Sequence, residues 1–305
     1  MANIEVSDRR LVLLDTDIGN DIDDAVCLAY LLAQPQCELL GITTVTSEPG
    51  VRAKLASVLC RNAGRQVPIH LGAADPLLVP PLQQPPPQAI ALDRWDHEMS
   101  FPSEHAVDFL RRTIRAHPGE VTLVTIGPLT NVALLFAVDP GIPELLQSLV
   151  SMGGSYATNT PGPEWNVRCD PHAAAQVFAA SIPVHRVIGL DVTSRVRLAA
   201  DEFLRRCEVP ALRPVADMAE SWFGDRSDVV FHDPLAAATV FEPDLCTFAH
   251  GEVTVDTSAA PLAGSTDWRP ELNGRHVIAV DVRPDAFFDH YFGVVRSGST
   301  FAISG

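Results

Sequence analysis

Residues 11–30 read LVLLDTDIGNDIDDAVCLAY. A short apolar run at 11–14 is followed by five carboxylates, Asp15, Asp17, Asp21, Asp23 and Asp24. From Ala25 a run begins that holds neither Gly nor Pro until Pro35. The first run has the length of a buried strand, and the second is compatible with a helix. That order predicts a parallel strand ending in an acidic loop that passes into a helix N-terminus. In open α/β sheets the carboxyl ends of strands are where ligands bind. Like charges a few ångströms apart resist joint ionisation, and a hard cation held by oxygen ligands removes that cost. A solvated acidic turn near a helix start accounts for one or two such carboxylates, but poorly for five directly after a buried strand. The stretch therefore reads as a metal site at the end of the first strand.

Working outward, 38–45 (ELLGITTV) reads as a second buried strand, 47–50 as a turn, 51–63 as a helix stopped by Gly64, and 67–71 as a third strand. A β-α-β-α-β opening is the signature of a parallel sheet with helices on its faces. Further strands are expected at 121–126, 149–152 and 184–190. Helices are expected at 103–116, with Ser103 as N-cap, at 132–138, and from Pro171. A polar loop spans 155–170. Beyond residue 200 the pattern is more helical (200–207, 214–223, 233–241), with strands at 252–256 and 276–282 and a terminal helix near 284–292. Residues 79–102 begin VPPLQQPPP and go on to DRWDHE. Proline removes backbone donors and disfavours helix before it, so this segment is irregular, either a lid or a solvated insertion. Repeats and linkers are lacking. The expected fold is α/β, a Rossmann-like, mostly parallel sheet flanked by helices, with additional C-terminal helices and short strands, as one domain over 1–305.

Composition narrows the partners. The 305 residues are 47% hydrophobic and carry a net charge of −16, with Lys54 the only lysine. Nucleic acid would require a basic face, and a P-loop is excluded because no GK[ST] sequence occurs. No apolar run is long enough to span a membrane, and MANIEVSDRR lacks the apolar core of a signal peptide, so a cytoplasmic location is expected. Six cysteines lie scattered without zinc spacing and read as free, mostly buried thiols.

The acidic cluster can be compared with named motifs. An EF-hand needs Gly at its sixth position and Glu at its twelfth; counted from Asp15 these are Asn20 and Val26. A haloacid-dehalogenase-type phosphatase resembles D-x-D-x-[TV], but here Gly19 holds the fifth position, and Lys54 lies in a predicted surface helix. The better fit is DTDIGNDIDDA at 15–25, followed in order by ITTV at 42–45, IGPLTNVA at 126–133, MGG at 152–154, EWNVRCDPHAAA at 164–175, GLDVT at 189–193 and HDPLA at 232–236. This series resembles the inosine–uridine-preferring nucleoside hydrolases from residue 11 to about 234.

The resemblance implies cleavage of the N-glycosidic bond of a small ribonucleoside with bound calcium. Asp17, Asp24 and Asp233 would be carboxylate ligands and the Ile126 carbonyl a fourth. Asp17 would also serve as general base. Asp23 would meet the ribose 2′-hydroxyl, Asn166 the 3′-hydroxyl, and Asn159 and Glu164 the 5′-hydroxyl. His232 would be the acid for the leaving base, or else would orient Asp233. The family motif has one residue between Gly and the Asp pair, whereas Asn20, Asp21 and Ile22 stand here, so Asp21 competes with Asp23 for the ribose contact. Glu48 occupies a position where many members carry Asn and is a further substrate-binding candidate. Trp95, Trp222, Phe223 and Phe231 are candidates for stacking on a base, with ordinary packing the alternative for each. Two other readings stay open, a hydrolase of a different N-riboside and a non-catalytic calcium-dependent nucleoside-binding protein. By resemblance the chain is a homodimer or homotetramer.

Overall fold

The computed structural model describes residues 9–156, 162–224, 226–259 and 261–298. Its strands are β1 (Arg10–Thr16), β2 (Cys37–Thr44), β3 (Ile69–Leu71), β4 (Val121–Thr125), β5 (Ser148–Met152), β6 (His185–Ile188), β7 (Arg197–Ala199), β8 (Asp228–Val230), β9 (Cys246–Val255), β10 (Thr266–Pro270) and β11 (His276–Val282). Nine of them form one sheet in the order β10-β9-β11-β6-β5-β4-β1-β2-β3, and β7 pairs with β8 separately. From β3 through β11 every pairing except those of β9 is parallel, and β9 and β10 add an antiparallel edge.

The run 11–14 is apolar without alternation because both faces of β1 are covered. Val12 and Leu14 pack in one hydrophobic cluster with the helix Asp23–Ala33, while Leu13 packs in the other with the helix Ala106–Ala116. Chain order leaves β1 in two directions, toward β2 and β3 on one side and β4 to β6 on the other. The crevice beyond the carboxyl ends of β1 and β4 is thus a topological switch point, where such sheets bind ligands. Register places Asp15 level with Thr43 of β2 and Thr125 of β4, so Asp17 and Ile126 both emerge just past the sheet edge.

Several local expectations are corrected. The helix expected from Ser103 starts at Ala106, and His105 caps it through a bond from the Val107 N–H. The turn expected at 47–50 is already helical from Pro49, with Glu48 before it in left-handed backbone at φ 57°. The strand expected at 184–190 stops at Ile188, and Leu190–Thr193 turns helical. A short helix, Trp165–Cys169, interrupts the polar loop. All six cysteines are buried and free. Among the described residues no helix is long and apolar enough to cross a membrane.

Candidate active site

The acidic loop is shaped by two close approaches. Gly19 adopts φ +131°, and a Cβ there would lie 2.4 Å from Pro86 Cβ. Across the crevice, a Cβ on Gly127 would lie 2.7 Å from Asp17 Oδ1. Only glycine fits at either position. Arg52, fully buried on the helix Pro49–Asn62, donates to the backbone oxygens of Asp17 and of Ile18 (3.1 Å) and to Ser47 O (2.7 Å). One guanidinium thus ties the acidic loop to the turn after β2.

Asp23 and Asp24 open the helix Asp23–Ala33, and Asp233 lies in the first turn of the helix His232–Phe241. One oxygen from each of the three lies within 4.8 Å of the others. Asp24 Oδ1 accepts from the Thr16 hydroxyl at 2.6 Å, and Asp23 Oδ2 accepts the Asp233 backbone N–H at 3.1 Å. Burial, then repulsion among the group, holds all three carboxyls well above the usual range. Asp17 is pushed up to about 6 by burial, partly offset by Arg52, and Asp21 to about 6 by burial. The donor set is all oxygen, buried and mutually repelling, which fits a hard cation.

Around this floor lies a cavity of about 600 Å³. Of the residues singled out from the sequence, Asp17, Asp21, Asp23, Asp24, Ile126, Glu164, Asn166, Trp222, His232 and Asp233 line it. Asn166 Nδ2 donates to the Ile126 carbonyl at 3.1 Å and to Met152 O at 3.3 Å. Glu164 caps the helix Trp165–Cys169, accepting from the N–H groups of Asn166, Val167 and Gly154, and burial pushes its carboxyl up to about 7. His232 Nδ1 lies 2.7 Å from Thr193 Oγ1, and burial, aided by Arg197, pushes its imidazole down to about 4. The ring is therefore neutral at pH 7.

Other candidates are not brought here. Glu48 is exposed and does not line the cavity. Asn159 lies outside the described residues. Trp95 Nε1 bonds Asp217 at 2.8 Å, Phe223 packs on Phe203, and Phe231 is buried in an aromatic cluster, so ordinary packing accounts for all three.

Among the lining or supporting residues that the sequence reading does not single out are Arg52, Gln83, Trp165 as a cavity wall, and Arg226, whose guanidinium lies 3.8 Å from the Trp222 ring centroid. Arg52 stands two positions from Lys54 in a helix, which gives no signal of burial, and a glutamine in a proline-rich run offers none for Gln83. The segment 79–102 is not a free insertion. Leu82, Gln83, Gln84 and Pro87 line the cavity, and Gln88 Nε2 donates to Asp21 O at 2.7 Å.

Comparison with known proteins identifies the family. Residues 12–289 match the family model described as inosine-uridine preferring nucleoside hydrolase. A non-specific ribonucleoside hydrolase, RihC, of Salmonella paratyphi A is 36% identical over 269 residues, covering 84% of this chain and 86% of the relative. Among solved structures, a purine-preferring ribonucleoside hydrolase from Gardnerella vaginalis matches with a TM-score of 0.81 at 23% identity, over 96% of this chain and 100% of its own. An inosine-uridine preferring nucleoside hydrolase from Bacillus anthracis matches with a TM-score of 0.75 at 24% identity, over 94% and 99% respectively. At those identities the structural likeness is one of fold.

Proposed function

The chain belongs to the inosine-uridine preferring nucleoside hydrolase family and is an N-glycosyl hydrolase, and from that premise we propose that it splits ribonucleosides into ribose and free base with calcium held by Asp17, Asp24, Asp233 and the Ile126 carbonyl. The observation that carries this reading is the convergence of Asp24 and Asp233, joined by Asp23, on one buried point of the cavity floor. When bound, calcium supplies the positive charge that keeps these carboxylates ionised and acidifies an attacking water.

The residues do the rest. Asp17 takes the proton of the attacking water. Cleavage develops positive charge on the ribose ring, and the surrounding carboxylates stabilise it. Asp23, with Asp21 beside it, accepts from the 2′-hydroxyl, Asn166 meets the 3′-hydroxyl, and Glu164 takes the 5′ end, joined by Asn159. Glu164 is acceptor-only when ionised and repels a 5′-phosphate, which favours nucleosides over nucleotides. His232 is neutral at pH 7. In the tautomer where Thr193 donates to Nδ1, its Nε2–H is a hydrogen-bond donor to the departing base rather than a full positive charge. The exposed Glu48 has no part in this reading, since it does not line the cavity. The protein acts as one domain, in the cytoplasm, as a homodimer or homotetramer. Sedimentation should then give two or four times the 32.9 kDa of the chain.

The test is direct. Purified protein is incubated with a panel of purine and pyrimidine nucleosides, with calcium or with a chelator, and free ribose is measured. Ribose release that stops with chelator and returns with calcium is expected. No release from any nucleoside overturns the activity, and release indifferent to rigorous chelation overturns the metal assignment.

A further inference from the structure

Gln83 stands in the proline-rich segment, yet only 7% of it is exposed. Its amide nitrogen donates to Asp17 Oδ2 at 2.9 Å and to Asn20 Oδ1 at 3.1 Å, and its Oε1 accepts from Trp165 Nε1 at 2.7 Å. An amide oriented by an indole N–H therefore holds one oxygen of Asp17. The other oxygen, Oδ1, faces Gly127, where the chain leaves no room for a side chain. The geometry points to Gln83 as a positioning residue that fixes the Asp17 carboxylate, held at Oδ2 by the amide and packed at Oδ1 against Gly127. This rests on the reading of Asp17 as general base.

The chemistry of the residue supports the assignment. A primary amide donates with one atom and accepts with the other, so it can bridge an indole N–H to a carboxylate. Tryptophan has only the donor, which sets the orientation of the amide without ambiguity. Glutamate at 83 would face the Asp17 carboxylate with an acceptor and repel it. A neutral donor also holds the carboxylate without adding to the positive charge that Arg52 already brings to it.

Three single variants, Gln83→Ala, Gln83→Glu and Trp165→Phe, and the Ala/Phe double variant test the relay. Calcium-loaded Gln83→Ala should lose about 30- to 100-fold in kcat, no more than the lower end of the ~10²–10⁴ that loss of a general base itself costs, with KM within about threefold. Gln83→Glu should lose at least as much. Trp165→Phe should lose less, and the double variant should be no worse than Gln83→Ala alone, because both act through one amide. Side-chain amide resonances supply a readout apart from activity. The Gln83 pair, assigned by its loss in Gln83→Ala, should shift in Trp165→Phe. Additive losses in the double variant, an unmoved amide pair, or a Gln83→Ala enzyme with raised KM and intact kcat would each overturn the relay. A wild-type protein that releases no ribose while the amide pair still responds to Trp165→Phe would overturn the hydrolase reading and leave the contact standing.

Discussion

Two buried clusters meet at residues 231–233, and they are opposites. Phe231 packs edge-on against Phe203, Phe287, Phe288, Tyr291 and Phe292, with ring centroids 5.2–6.3 Å apart. Such pairs add to an already large burial of apolar surface. One and two residues later, His232 and Asp233 enter a cluster of buried carboxylates whose ionised forms oppose one another. The first cluster holds the fold; the second is held in place by it. The helix His232–Phe241 thus has its start anchored by aromatic rings while its first turn projects a charge into the crevice. Stability and chemistry are separated by a single residue step, and substitutions in the two clusters should separate them as well.

The largest effect is expected on activity. Asp17→Ala should lower kcat by about 10³-fold, the middle of the range for a general base, while the melting temperature measured with chelator stays level or rises, since one member of a repelling group is gone. An Asp17→Ala enzyme with near wild-type turnover would refute the assignment of the base. In the other cluster, Phe287→Ala should cost about 3–5 kcal/mol of stability, read by denaturant titration, with kcat per folded molecule unchanged. Phe287→Leu should cost less, which keeps the test open if the alanine variant fails to fold. A loss of kcat in Phe287→Leu at full folding would mean that the clusters are not separable.

The same contrast explains what was legible in the residues. The apolar run at 11–14 lacks alternation because helices cover both faces of β1, and buried parallel strands write that pattern strongly. Asp17, Asp24 and Asp233 are legible because each adjoins a local motif, and the motif order follows the strand order. β7, β8 and β10 are only three to five residues long and half-exposed or exposed for the most part, so they leave little periodic signal. Ser103 is a better N-cap by residue type than His105, yet the chain enters the helix two residues later. Arg52 and Gln83 act through bonds spanning 35 and 66 residues to Asp17. No local pattern encodes such pairs; the helix Pro49–Asn62 brings Arg52 to the loop, and the packing of the proline-rich segment over it brings Gln83.

The prediction that most sharpens the contrast is the pH dependence of stability without metal. Burial raises Asp15 to about 7, Asp17 and Asp21 to about 6 and Glu164 to about 7, and lifts Asp23, Asp24 and Asp233 well above their usual values. A carboxyl whose folded pKa is raised binds its proton more tightly in the native state. Its contribution is fully present below the unfolded value, near 3.8 for Asp and 4.5 for Glu, and is lost as pH rises through the folded value. His232, lowered from 6.5 to about 4, acts the other way, losing its contribution as pH falls through that window. His185, His276 and His290 are lowered by burial as well, so seven carboxyls oppose four imidazoles. With chelator present, the melting temperature should therefore fall as pH rises from about 5 to about 7.5, because the repelling carboxylates ionise across that interval. Saturating calcium should flatten or reverse the slope, since a cation that binds only the folded, ionised cluster stabilises it by mass action. Phe287→Leu should shift both curves down in parallel, and Asp233→Asn should reduce the slope with chelator. A chelated wild-type protein whose melting temperature rises over this interval would show that the acidic cluster does not repel itself in the folded state.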